Sequence, residues 1–139
     1  MKWARLAAAG LLAAAAGAQA SSPRLCDQGV EISAAQHDRR LRLVAQVRQE
    51  LDASGDAVVL IARSGVDLSR FAQRYSHAGI GLRHSPNTPW SVRQLYYACD
   101  EGRPRLFDQG LAGFLLAGDD APTGHVSLVL LPPAEAAAL

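Results

Sequence analysis

Long hydrophobic runs are missing from this 139-residue sequence, and so is almost every lysine: Lys2 is the only one, all later basic residues being arginine. The longest apolar stretch, Leu6 to Ala16, is about a dozen residues, short of the roughly 20 that a helix needs to cross a bilayer. A permanent anchor is therefore not expected. Lys2 and Arg5 precede that stretch, and Ala18-Gln19-Ala20 follows it with the small-x-small pattern that signal peptidase cuts. Residues 1–20 read as a secretory signal, and residues 21–139 as one periplasmic or secreted domain with no stable membrane anchor after cleavage. Lipid attachment at Cys26 is disfavoured, because Arg24 stands where a lipid-attachment site needs a small residue.

Charge of one sign is also lacking. Removing Lys2 and Arg5 leaves 12 basic residues against 13 acidic ones, a net charge near −1. No basic footprint for nucleic acid remains. Cysteines are two, Cys26 and Cys99. An exported chain carries them into an oxidising compartment, where a Cys26–Cys99 disulfide is expected to form and to stabilise by about 4 kcal/mol in the chain-entropy model. The rival reading is a free, nucleophilic Cys99. Asp100 and Glu101 beside it count against that, since adjacent carboxylates disfavour a thiolate. Metal-ligand spacing is absent as well: His77, His84 and Asp67 do not match any familiar pair spacing, so no metal and no cofactor are expected. Ser64-Gly65 and Ser69 do not form a G-x-S-x-G nucleophile elbow.

What is present reads as α+β. Ser33-Ala34-Ala35-Gln36 offers a capping box, and Leu41, Val44, Val47 and Leu51 follow at near-helical spacing. This predicts an amphipathic helix of about 18 residues ending near Gly55. Ala57 to Ala62, AVVLIA, lacks alternation and predicts a strand buried on both faces. A short helical turn at 67–71 leads to a strand from Tyr75 to Leu82. His84 to Pro89 is a loop, Ser91 to Ala98 a third strand, and Asp100-Glu101-Gly102 a turn. Leu106, Gly110, Leu111, Phe114 and Leu115 recur at helical spacing between Pro104 and Gly118, which predicts a helix. His125 to Leu131 is a fourth strand, and Pro132-Pro133 stops it just before a new helix start. The expected fold is a small, mostly antiparallel sheet of about four strands, with an N-terminal amphipathic helix and one further helix.

The stretch RYSHAGIGLR, Arg74 to Arg83, carries the main candidate site. Strand alternation puts Tyr75, His77, Gly79 and Gly81 on one side and Ala78, Ile80 and Leu82 on the other. The second set reads as the apolar stripe, so His77 is expected on the opposite face with space cleared around it. Glycine inside a strand marks a close approach of another backbone or of a ligand. Tyr75, Gly79 and Gly81 are the candidate substrate-binding positions. A structural alternative is a strand packed tightly against a neighbour, with His77 half-buried and satisfied locally.

The run AVVLIAR, a short link and then RYSHAGIGLR resemble the entry to the permuted papain-like fold of lecithin-retinol-acyltransferase-like proteins and of permuted cell-wall cysteine peptidases. The order that follows, strand, helix, strand, is similar too. Leu60 to Phe114 also resembles a family of uncharacterised bacterial secreted proteins that carries the SHAG segment. The resemblance implies His77 as general base, a polar orienting residue on the following strand, for which Gln94 is the candidate beside Arg93 and Tyr96, and a cysteine nucleophile starting a helix after the last strand. No cysteine lies beyond Leu131. The expectation is thus a papain-like permuted core lacking its last helix: either a truncated cysteine hydrolase or acyltransferase relative, or a non-catalytic module that binds a peptide or a cell-envelope component.

Overall fold

The computed structural model describes residues 31–117 and 124–139; the predicted signal at 1–20, Cys26 and the turn at Gly118 lie outside the described residues. Helix α1, Ala34–Ser54, starts at a complete capping box: Gln36 donates its N–H to the Ser33 hydroxyl, and its side chain accepts from the Ser33 N–H at 2.7 Å. Gly55 ends the helix in the left-handed region, φ 79°, where glycine carries no Cβ penalty. Val47 and Leu51 are its buried residues, whereas Leu41 is exposed.

Five antiparallel strands follow: β1 Val58–Arg63, β2 His77–Leu82, β3 Ser91–Ala98, β4 Arg103–Gly110 and β5 Val126–Leu130, in the spatial order β4-β3-β2-β1-β5. A 3₁₀ turn at Ser69–Phe71 joins β1 to β2; short helices α2, Leu111–Leu116, and α3, Pro133–Ala136, follow β4 and β5. The molecule is α+β, as the pattern predicted, with one strand more. That strand is β4, which occupies the first half of the region predicted as a helix from Leu106. Gly102, at φ 65°, closes a hairpin that sets eight residue pairs between β3 and β4, and Pro104 is tolerated because β4 is an edge strand. The helical spacing joined two elements: Leu106 is 65% exposed on the strand, while Leu111 and Phe114 are buried on α2.

One face of the sheet carries the core. Val59 and Ile61 of β1, Trp90 and Val92 at β3, Leu111 and Phe114 of α2, and Val47 and Leu51 of α1 form a single buried cluster. The other face is largely open, with Leu60, Leu95, Leu106 and Val129 exposed. Leu60 corrects the expectation that β1 is buried on both faces: helices cover only one side of the sheet. Trp90 holds an unusual left-handed backbone, φ 57°, with its carbonyl accepting from Leu111 N–H at 3.0 Å. Its indole donates to Asp52 Oδ1 at 2.7 Å, fastening the end of α1 to the β2–β3 connection.

Candidate functional site

The ladder between β1 and β2 pairs Val59 with Gly81, Ile61 with Gly79 and Arg63 with His77. Directly paired residues share a face, so His77, Gly79 and Gly81 lie on the helix-covered side with the core. This reverses the face expected for them, and Ile80 and Leu82 belong to the open side. The reason is that neighbouring strands fill the glycine positions. A Cβ on Gly79 would stand 2.7 Å from Val92 Cγ1 and 2.8 Å from the Arg93 carbonyl oxygen; one on Gly81 would stand 2.8 Å from Val59 Cγ2. Gly79 and Gly81 admit their own chain, and the binding floor expected over them is already occupied. Tyr75 is exposed ahead of β2 and does not border the cavity described below.

His77 opens β2. Ser76 just before it donates its backbone N–H to the Arg63 carbonyl at 3.1 Å, drawing together the neck of the 64–76 loop. The imidazole lies against the Tyr96 ring, centroids 5.3 Å apart and planes tilted by 40°. Tyr96 meets Phe107 of β4 edge-on at 6.4 Å. The row from His77 through Tyr96 to Phe107 is thus held by aromatic contact, a geometry that adds about 0.5–1.5 kcal/mol per pair beyond burial.

Arg63 is a buried residue of this face that no sequence motif singles out. It continues the alternation of Val59 and Ile61 and is only 3% exposed. Burying a guanidinium is costly unless it is compensated. Here the Ser64 carbonyl accepts from it at 3.1 Å, and the Phe114 ring lies 5.3 Å from its central carbon. The signal was available in the period-two spacing 59, 61, 63.

Arg63, Gln94, Tyr96, Ala98, Phe107 and Gln109 border one cavity of about 390 Å³, within the usual range for small-ligand sites. Gln94, the expected orienting residue, is 6% exposed and on the same face as His77, and His77 adjoins the cavity through Tyr96. Two primary amides can each donate and accept, and the guanidinium donates. In a cavity that Tyr96 and Phe107 also border, these groups suit a ligand rich in carbonyl and amide groups.

Cys99 lies on the cavity rim and is not a free thiol, which removes it as a nucleophile. Glu101 in the adjoining turn is held below the usual carboxylate range by Arg105 and then Arg103, and Arg103 Nε donates to it at 2.8 Å. Among the described residues no group of three or more His, Cys, Asp or Glu is placed to hold a metal. Strand direction bears on the nucleophile position that the papain-like resemblance implies. Val126 of β5 pairs with Arg63 at the His77 end, whereas Leu130 pairs with Val59, opposite Gly81. A helix starting directly after β5, as α3 does, therefore begins roughly 13 Å or more further along the sheet from His77.

Comparison with known proteins gives one finding. The model of a family described as an uncharacterised protein conserved in bacteria, DUF2145, matches residues 50–139. No curated protein and no solved structure matches.

Proposed function

The chain belongs to this family of uncharacterised proteins conserved in bacteria, and we propose that it is an exported binding module whose cavity beside His77 holds an extended, amide-bearing chain such as a peptide of the cell envelope. The observation that carries the reading is that buried Arg63 and Gln94 border the same aromatic-walled cavity as Gln109. Buried Arg63 and Gln94 and half-buried Gln109 present hydrogen-bonding groups at the cavity that a bound amide or carboxylate would meet. Export is supported by Lys2 and Arg5, the apolar run from Leu6 to Ala16 and the Ala18-Gln19-Ala20 site. A Cys26–Cys99 bond fits the same compartment, Cys26 being the other cysteine of the sequence.

The test is calorimetric titration with four-residue peptides bearing free or amidated C-termini. Saturable binding is expected, tighter for the free carboxylate, and weakened about tenfold by Gln94→Leu. Binding that is absent, or indifferent to Gln94→Leu, would remove the proposal.

A second reading has a specific observation behind it. His77 and Gln94 share the helix-covered face of an antiparallel sheet, as a base and its orienting amide would in a permuted papain-like hydrolase or acyltransferase. The thiol would be a cysteine that this sequence does not contain. Assays of peptide, amide and ester hydrolysis on the longest natural form of the protein separate the two: turnover abolished by His77→Ala supports the enzyme, and binding without turnover supports the module.

A further inference from the structure

The connection from β1 to β2, residues 64–76, is a structured loop that holds apolar side chains in water. Val66, Phe71 and Tyr75 are 45%, 57% and 41% exposed. Backbone hydrogen bonds order the segment: Phe71 N–H donates to Leu68 O at 2.9 Å, Ala72 N–H to Ser69 O at 2.9 Å, and Gln73 N–H to Leu68 O at 3.3 Å. Phe71 is thus displayed by a fixed turn, where a merely connecting loop would be expected to carry polar residues.

The charge of the loop is positive. Arg70 and Arg74 face a single carboxylate, Asp67, which is engaged within the loop by accepting from Ser69 N–H at 2.9 Å. Neither arginine is in an ion pair among the described residues, and Arg70 lies over the Phe71 ring at 4.5 Å. The exposed leucines of the open sheet face differ here, since Arg93 beside them is paired with Asp108 at 2.7 Å. Aromatic side chains with arginines at their flanks match the interfacial layer of a bilayer, where rings sit at headgroup level and guanidinium groups reach phosphate.

We propose that the 64–76 loop docks this protein on an anionic lipid surface, with Val66, Phe71 and Tyr75 entering the headgroup layer and Arg70 and Arg74 on the phosphates. The contact is peripheral and reversible, not an anchor. Because Ser76 and Arg63 close the neck of the loop, docking brings the His77 end of the sheet to the membrane surface.

Co-sedimentation with phosphatidylcholine vesicles, with and without phosphatidylglycerol, tests this. All variants share one N-terminus, so residues 1–20 contribute equally wherever they are retained. Partition is expected to need phosphatidylglycerol and to fall with added salt. Phe71→Ser should weaken it roughly tenfold, and Arg70→Gln or Arg74→Gln about fivefold each. Leu95→Ser on the open face should leave it unchanged. Val66→Ser serves as the second loop variant should Phe71→Ser melt early. Equal partition onto neutral vesicles, or partition indifferent to the loop variants, overturns the proposal. Failure to partition at all overturns it in favour of a protein partner for the loop. Peptide binding is read separately through Gln94→Leu, so neither result stands in for the other.

Discussion

The Trp90 indole donates to Asp52 Oδ1 at 2.7 Å across 38 residues of sequence, while Arg48 Nε reaches Oδ2 of the same carboxylate at 2.9 Å. Arg83 completes the cluster, donating to the Asp52 carbonyl at 2.7 Å with its guanidinium 5.4 Å from the Trp90 ring centroid. One carboxylate thus joins the last turn of α1 to the segment that enters β3, and β3 supplies Gln94 and Tyr96 to the cavity.

Asp52 is held below its ordinary value of 3.8 by the Trp90 hydrogen bond and then by Arg48. A carboxyl depressed in the folded state contributes stability above its unfolded pKa, and that contribution disappears as pH falls through the folded pKa. Melting temperatures of the wild type and Asp52→Asn should therefore differ at pH 7 and converge below about pH 4. A gap that persists unchanged to pH 2 contradicts this role.

Trp90 is 1% exposed at the centre of the core. Trp90→Ala should cost about 3–5 kcal/mol in denaturant unfolding, in line with other large aromatic truncations. A loss below about 1 kcal/mol would show that the cluster around it collapses without penalty.

Gly79 and Gly81 differ in what surrounds them, and double variants expose the difference. Each glycine-to-alanine change should destabilise by about 1–3 kcal/mol through overpacking. Trimming Val59 to Ala should relieve Gly81→Ala, whose nearest neighbour is the Val59 side chain. Trimming Val92 should not rescue Gly79→Ala, because the Arg93 carbonyl at 2.8 Å remains. Rescue at both positions would mean that the β3 backbone gives way easily.

We propose the Cys26–Cys99 bond as a stabilising clamp of the exported chain. Mass analysis without reductant should find two hydrogens fewer than in the reduced protein, and Cys99→Ser should lower stability by roughly 2–4 kcal/mol. Two reactive thiols in the exported protein would refute the clamp.

Local signals were the legible part of the sequence. Ser33 and Gln36 declared the start of α1 and Gly55 its end, because caps depend on residues three or four apart. The strands at Val58, His77, Ser91 and Val126 were visible as short segments bounded by turns, rich in β-branched residues in the first and last. Two features depended on partners distant in sequence and were not legible. Alternation along β2 separates His77 from Ile80 but cannot say which side the helices cover; Val59, Val92 and Trp90 decide that by filling the glycine side. Likewise Leu106 and Leu111 share a helical spacing, and only the hairpin through Gly102 assigns the first to a strand. Around the cavity, His77 and Gln94 were candidates from the sequence, whereas Arg63 was not, because its surroundings include Phe114, about fifty positions away.

The most direct measurement of the central claim is a side-chain amide and imidazole NMR titration of the folded chain with a carboxyl-terminated tetrapeptide. Occupation of the cavity predicts saturable shifts of the Gln94 and Gln109 amides, together with the His77 ring signals that Tyr96 couples to it, on one common binding curve. Shifts confined to residues outside this group, with Gln94 and Gln109 unmoved at saturation, would contradict the account.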